Sequence, residues 1–172
     1  MDLRPLALIP ALAFGLNTYP AHAAEGHSHG TGSVEVSIDG GQISIALELP
    51  MDSAVGFERA PKTDKEKAAL ADAARLLNDA QAIFIPTSNA KCTVVSVQAS
   101  VPHTAGTPAA KDGHADIDAS YVFRCADPAA LKGIETTLFK HFKRLYRLEA
   151  RRVGPAGQGS MRLSAKQPTL SW

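Results

Sequence analysis

Residues 33–38 (Ser-Val-Glu-Val-Ser-Ile) and 43–49 (Ile-Ser-Ile-Ala-Leu-Glu-Leu) alternate apolar and polar side chains on either side of Asp39-Gly40-Gly41. Successive side chains of a strand point to opposite faces, so each run offers one face to a core and the other to water. Two such runs around an Asp-Gly pair predict an antiparallel hairpin. Pro50 ends the second run, because it lacks the N–H that a ladder needs.

Further along, residues 93–98 predict a third strand and residues 117–125 a fourth, with Ile117, Ala119, Tyr121, Phe123 and Cys125 on one side. Between them, residues 101–113 combine Pro and Gly with few apolar groups and read as a mobile loop. One segment has helical period. Thr63-x-x-Glu66 fits a capping box, and Ala69, Leu70, Ala73, Leu76, Leu77, Ala80, Ile83 and Phe84 form a stripe opposite Asp72, Arg75 and Asp79, with Pro86 as the stop. Residues 134–142 read as strand and then helix. Residues 145–153 and 160–163 resemble a last hairpin around a glycine-rich turn, and residues 169–172 a final strand. The expected fold is α+β: an antiparallel sheet with one main amphipathic helix packed on a face.

The N-terminus predicts export. Arg4 precedes an apolar run at 6–16, which leads to Ala21-His22-Ala23, a small-x-small site of the kind signal peptidase cuts. The run is interrupted by Pro10 and falls short of the ~20 apolar residues that a membrane span requires. Residues 1–23 are therefore expected to be a signal peptide, and 24–172 a single metal-binding domain in the periplasm, with no membrane insertion after cleavage. The formal net charge of the 172-residue chain is +1, which gives no reason to expect nucleic acid as a partner. Cys92 and Cys125 are the two cysteines, and an even count in an exported chain favours a disulfide. A bond closing that loop stabilises by about 2–4 kcal/mol. A thiolate metal site is the weaker reading, because neither cysteine has a Cys or His two to five residues away.

Histidine carries the candidate chemistry. His27-Ser-His29 stands beside Glu25, and a two-residue spacing in extended chain points both imidazoles one way. His114-Ala-Asp116 repeats that geometry just before the fourth strand, with His103 at the other end of the loop. Imidazole and carboxylate together suit zinc and its first-row neighbours. If the strands that follow these pairs are neighbours in the sheet, His27, His29, His114 and Asp116 face one another and complete a tetrahedral set. His103 and Glu58 are held in reserve. Gly56-Phe57-Glu58 also has a plainer reading, with Phe57 in the core and Glu58 solvated or paired to Arg59. Lys and Arg crowd residues 140–152, the basis of an alternative function as a non-catalytic envelope interaction module. Phe139, Phe142, Leu145, Tyr146 and Leu148 interleave with those charges at core-like spacing. His-Glu-x-x-His and a phosphate-cradling glycine loop are absent from the sequence, so no enzyme is expected.

Taken in order, the motifs resemble a known family. They are His-x-His-Gly (27–30), Glu-Leu-Pro (48–50), Val-Gly-Phe-Glu-Arg-Ala-Pro (55–61), His-Ala-Asp-Ile-Asp-Ala-Ser-Tyr-Val-Phe-Arg-Cys (114–125), Pro-Ala-Ala-Leu (128–131), Leu-Phe-x-x-Phe (138–142) and Gly-Gln (157–158). The chain resembles the ZrgA-like periplasmic proteins associated with zinc uptake. The resemblance implies a zinc-binding accessory protein that buffers zinc or hands it toward an importer or the importer's binding protein. Members often carry a long His- and Asp-rich stretch before the Tyr-x-Phe-x-Cys strand, where residues 101–113 hold only His103. One zinc ion, or very few, is therefore expected.

Overall fold

The structure, a computed structural model, describes residues 29–104 and 115–172. The expected signal peptide, His27 and His114 lie outside the described residues.

The hairpin forms as β1 (Thr31–Asp39) and β2 (Gln42–Pro50), in register from Ser33 opposite Glu48 to Asp39 opposite Gln42. Its two turn residues, Gly40 and Gly41, have φ of 51° and 82°. A turn positive at both positions matches the twist of the strands it joins, which is why glycine is used there. After the hairpin come α1 (Met51–Val55), α2 (Asp64–Leu77), α3 (Ala80–Ile83) and β3 (Phe84–Pro86). Next are β4 (Cys92–Ser100), β5 (Asp116–Cys125), β6 (Gly133–Thr136) and α4 (Leu138–His141). The chain ends with β7 (Arg147–Gly154), β8 (Gly157–Leu163) and β9 (Thr169–Ser171).

Six strands form one sheet in the order β4-β5-β2-β1-β7-β8, and three form a second in the order β3-β6-β9. Every pair is antiparallel except β1 with β7. The core face of the large sheet carries Val34, Val36, Ile43, Ile45, Leu47, Leu49, Ile117, Tyr121, Phe123 and Leu148, all buried. Its other face is polar, with Ser33, Glu35, Ser44, Glu48, Asp118, Ser120, Glu149 and Arg151 at the alternate positions. Leu70, Ala73 and Leu77 of α2 enter the core beside Ile83 and Phe84. The Phe84 ring meets Tyr121 edge-on at 5.2 Å, so the second sheet touches the first directly. The Tyr121 hydroxyl donates to the Leu77 carbonyl at 3.0 Å.

The expected α+β class is overturned. Nine strands in two sheets make the protein mostly β, and among the described residues α2 is the one helix longer than five residues. The large sheet is mixed, not antiparallel. Its core face is shared by α2, two short helices and the second sheet. In the second sheet β6 and β9 fall where strands are expected, whereas β3 is too short to display a period and its Phe84 falls at the end of the long helical stripe. That stripe also breaks earlier than its periodicity implies. Asn78 caps α2, and the Asp79 side chain accepts from the Ala82 N–H to start α3. Asn and Asp compete for backbone N–H groups in this way and end helices. Phe84 then belongs to a strand.

Cys92 and Cys125 are bonded to each other, 3.8 Å apart at Cα and opposite one another in the β4–β5 ladder. No helix among the described residues is long and apolar enough to cross a membrane.

Candidate metal centre

The site begins where β2 runs out. Beyond Pro50 the chain turns into α1, whose first residue, Met51, is fully buried and donates its N–H to the Ala115 carbonyl at 2.8 Å. That anchor fixes the next residue, Asp52, in the first turn. The Ser53 hydroxyl donates to Asp52 Oδ1 at 3.3 Å and accepts from the Gly30 N–H at 3.0 Å. Gly56 ends α1 with a φ of 90° and donates its N–H to the Asp52 carbonyl at 2.8 Å. Two residues later the chain presents Glu58. From the opposite side Gly30, with φ at 77°, accepts at its carbonyl from the N–H groups of Tyr146 and Arg147. This holds the preceding residue, His29, against Asp52.

The three side chains converge. His29 Nδ1 lies 3.0 Å from Asp52 Oδ2 and 3.9 Å from Glu58 Oε1. The ligand atoms of all three fall within 4.8 Å of one another, the one such group among the described residues. Zinc takes N and O donors at about 2.0–2.2 Å, so tetrahedral donors stand about 3.4 Å from each other. The observed separations bracket that value, and small side-chain rotations would bring the three onto one ion. Three protein donors would leave a fourth position for water or a further side chain. The carboxylates are sheltered at 10% and 18% exposure while the imidazole is 71% exposed. The acids are thus fixed in the fold and the histidine is accessible. Arg144 completes the surroundings, with Nη2 3.5 Å from Asp52 Oδ2 and Nε donating to the Asp52 carbonyl at 3.1 Å.

Of the residues expected from sequence, His29 and Glu58 are brought together. His103 has φ at 63°, and its Nε2 lies 3.4 Å from the Glu58 carbonyl, beside the group without joining it. Asp116 sits opposite Pro50 in the ladder. It neighbours Asp118, whose carboxyl is raised above its ordinary value by burial and then by the charge of Asp116. Asp116 is not one of the three convergent donors. The strands following the two histidine pairs are not neighbours either, because β2 lies between β1 and β5. Arg59 does not take up Glu58 but pairs with Glu66 at 2.6 Å and stacks on the Phe57 ring.

Asp52 is the member of this convergent group that sequence reasoning missed. Its signal was an acid in the first turn after a strand-ending proline, inside the stretch between Glu-Leu-Pro and Gly-Phe-Glu. The basic 140–152 segment does not present one face. Lys140 pairs with Glu135, Arg144 reaches Asp52, and Arg147 pairs with Glu149. Arg151 pairs with Glu35, while Arg152 is buried, donating to the Gly157 carbonyl and lying over the Trp172 ring.

A family model described as ZrgA family zinc uptake protein matches residues 26–172. No curated protein matches the chain.

Proposed function

Because the chain belongs to the ZrgA family of zinc uptake proteins, we propose that it binds one zinc ion through His29, Asp52 and Glu58, buffering it or passing it to an importer. The observation that carries this reading is the convergence of one imidazole and two sheltered carboxylates at near-zinc spacing. Neutral imidazole and carboxylate are the ligands zinc accepts without thiolate, and both cysteines here are consumed in a disulfide. His27, two residues before His29, and His114, next to Ala115 in sequence, are proposed as further donors on sequence grounds, with His103 and Asp116 as outer contributors. The reading assigns the protein no catalytic step.

We place the working protein in the periplasm, beginning at Ala24. Support comes from the apolar run and Ala-x-Ala site of residues 1–23, and from a disulfide of the kind that persists in oxidising compartments. The test is calorimetric titration of chelator-stripped residues 24–172 with zinc. One ion per chain is expected, and His29→Ala or Asp52→Asn should weaken binding at least tenfold. Variants that bind as tightly as the parent would remove these residues from the site.

A further inference from the structure

Arg144 approaches the candidate metal site from a different part of the chain, the turn between α4 and β7. Its Nε donates to the Asp52 carbonyl at 3.1 Å, beside the bond from the Gly56 N–H to the same oxygen. Its stem passes along the Gly56 turn, where a Cβ would stand 3.6 Å from Arg144 Cδ. From that anchor Nη2 reaches to 3.5 Å from Asp52 Oδ2, the oxygen that also lies 3.0 Å from His29 Nδ1.

We infer that Arg144 is a built-in competitor for the site, a resident positive charge that weakens zinc binding and speeds zinc release. This rests on the zinc reading of His29, Asp52 and Glu58. The guanidinium stays charged at any working pH and is held by a backbone contact. It cannot relax far when an ion arrives on Asp52. A divalent ion bound to the two carboxylates therefore sits beside a fixed like charge. The side chain is 58% exposed, so solvent screens much of that repulsion. What remains corresponds to about tenfold in affinity. For a protein that must surrender its cargo, a site tuned downward by a fixed cation is useful where an all-acidic site would trap the ion.

The other role for Arg144 is mechanical, holding the end of α1 so that Asp52 is correctly placed. The two roles predict opposite signs. Removing the charge tightens zinc if Arg144 competes and weakens zinc if it only positions. The experiment compares wild type, Arg144→Gln, Arg144→Met and Arg144→Lys by zinc titration and by the rate of zinc transfer to an excess of chelator, with melting of the metal-free proteins as a folding check. Gln keeps a donor for the Asp52 carbonyl, Met removes it, and Lys keeps the charge. Expected is about tenfold tighter binding and slower transfer for Gln, the same direction for Met, and Lys within about threefold of wild type. Unchanged or weaker binding in both uncharged variants overturns the inference while leaving the zinc site intact. A wild type that binds no zinc at micromolar concentration, or a His29→Ala variant that binds as well as wild type, overturns the zinc reading and this inference with it.

Discussion

Gly30 has φ at 77°, and a Cβ there would stand 2.4 Å from Tyr146 Cδ2 and 3.0 Å from the Arg144 carbonyl oxygen. An alanine would therefore add left-handed strain and displace the Tyr146 ring or the backbone that carries His29. Gly30→Ala should cost about 1–3 kcal/mol in denaturant unfolding and weaken zinc binding more than its stability loss explains. A variant with wild-type stability and affinity would show that the close approach relaxes cheaply. His29 and Glu58 were visible in the sequence as residue types beside glycines. Asp52 was not, because what makes it a candidate donor is shelter and convergence. Its burial depends on Met51 bonding Ala115 and on Ser53 meeting Gly30, contacts across long stretches of chain. Arg144 is harder still. Within a basic segment its neighbours are its equals in sequence, and only the fold selects the one that reaches Asp52.

Among the elements, the start of α2 is a closed unit. The Thr63 hydroxyl accepts from the Glu66 N–H, while Glu66 Oε2 accepts from the N–H groups of Lys62 and Thr63. Arg59 donates to both Glu66 oxygens. These hydrogen bonds, that of Arg59 first, pull the Glu66 carboxyl down to about 2 from 4.5. A carboxyl lowered in the folded state contributes stability above its unfolded pKa and loses it as pH falls through the folded one. Glu66→Gln should therefore flatten the decline in stability between about pH 4.5 and 2, measured by urea unfolding across that range. Thr63→Ala should cost about 1 kcal/mol at neutral pH. An acid limb unchanged in the Glu66 variant would mean that other carboxyls set it. This unit was legible because a capping box is local, spelled in four residues. The alternation of β1, β2 and β5 was legible for the same reason. The parallel pairing of β1 with β7 joins segments more than a hundred residues apart, and nothing in either strand's own pattern distinguishes a parallel neighbour from an antiparallel one. The three-residue strand β3 holds no full period to read.

At the scale of the whole molecule, the proposed zinc site joins parts that unfolding would scatter. His29 precedes β1, Asp52 lies in α1, Glu58 follows in the connection to α2, and Arg144 stands before β7. An ion held there binds the native state, and stabilisation follows mass action: at a hundred times the dissociation constant it is about 2.7 kcal/mol. For a domain of this size that corresponds to a rise in melting temperature of about 5–10 °C. Zinc bound to the unfolded chain would subtract from this, and thiolates are the strongest ligands an unfolded chain can offer. Here Cys92 and Cys125 are bonded to each other, so the oxidised unfolded chain has no thiolate to give. The zinc-induced rise should therefore be full in oxidised protein and abolished by EDTA. In His29→Ala it should be much smaller at the same zinc concentration. After reduction, with the thiols free, metal-free protein should melt lower, and zinc should raise that melting temperature by less than in the oxidised form. Scanning calorimetry of the four states, with and without zinc, checks each step. A zinc-induced rise that is the same in His29→Ala as in wild type would place the stabilising ion elsewhere on the protein.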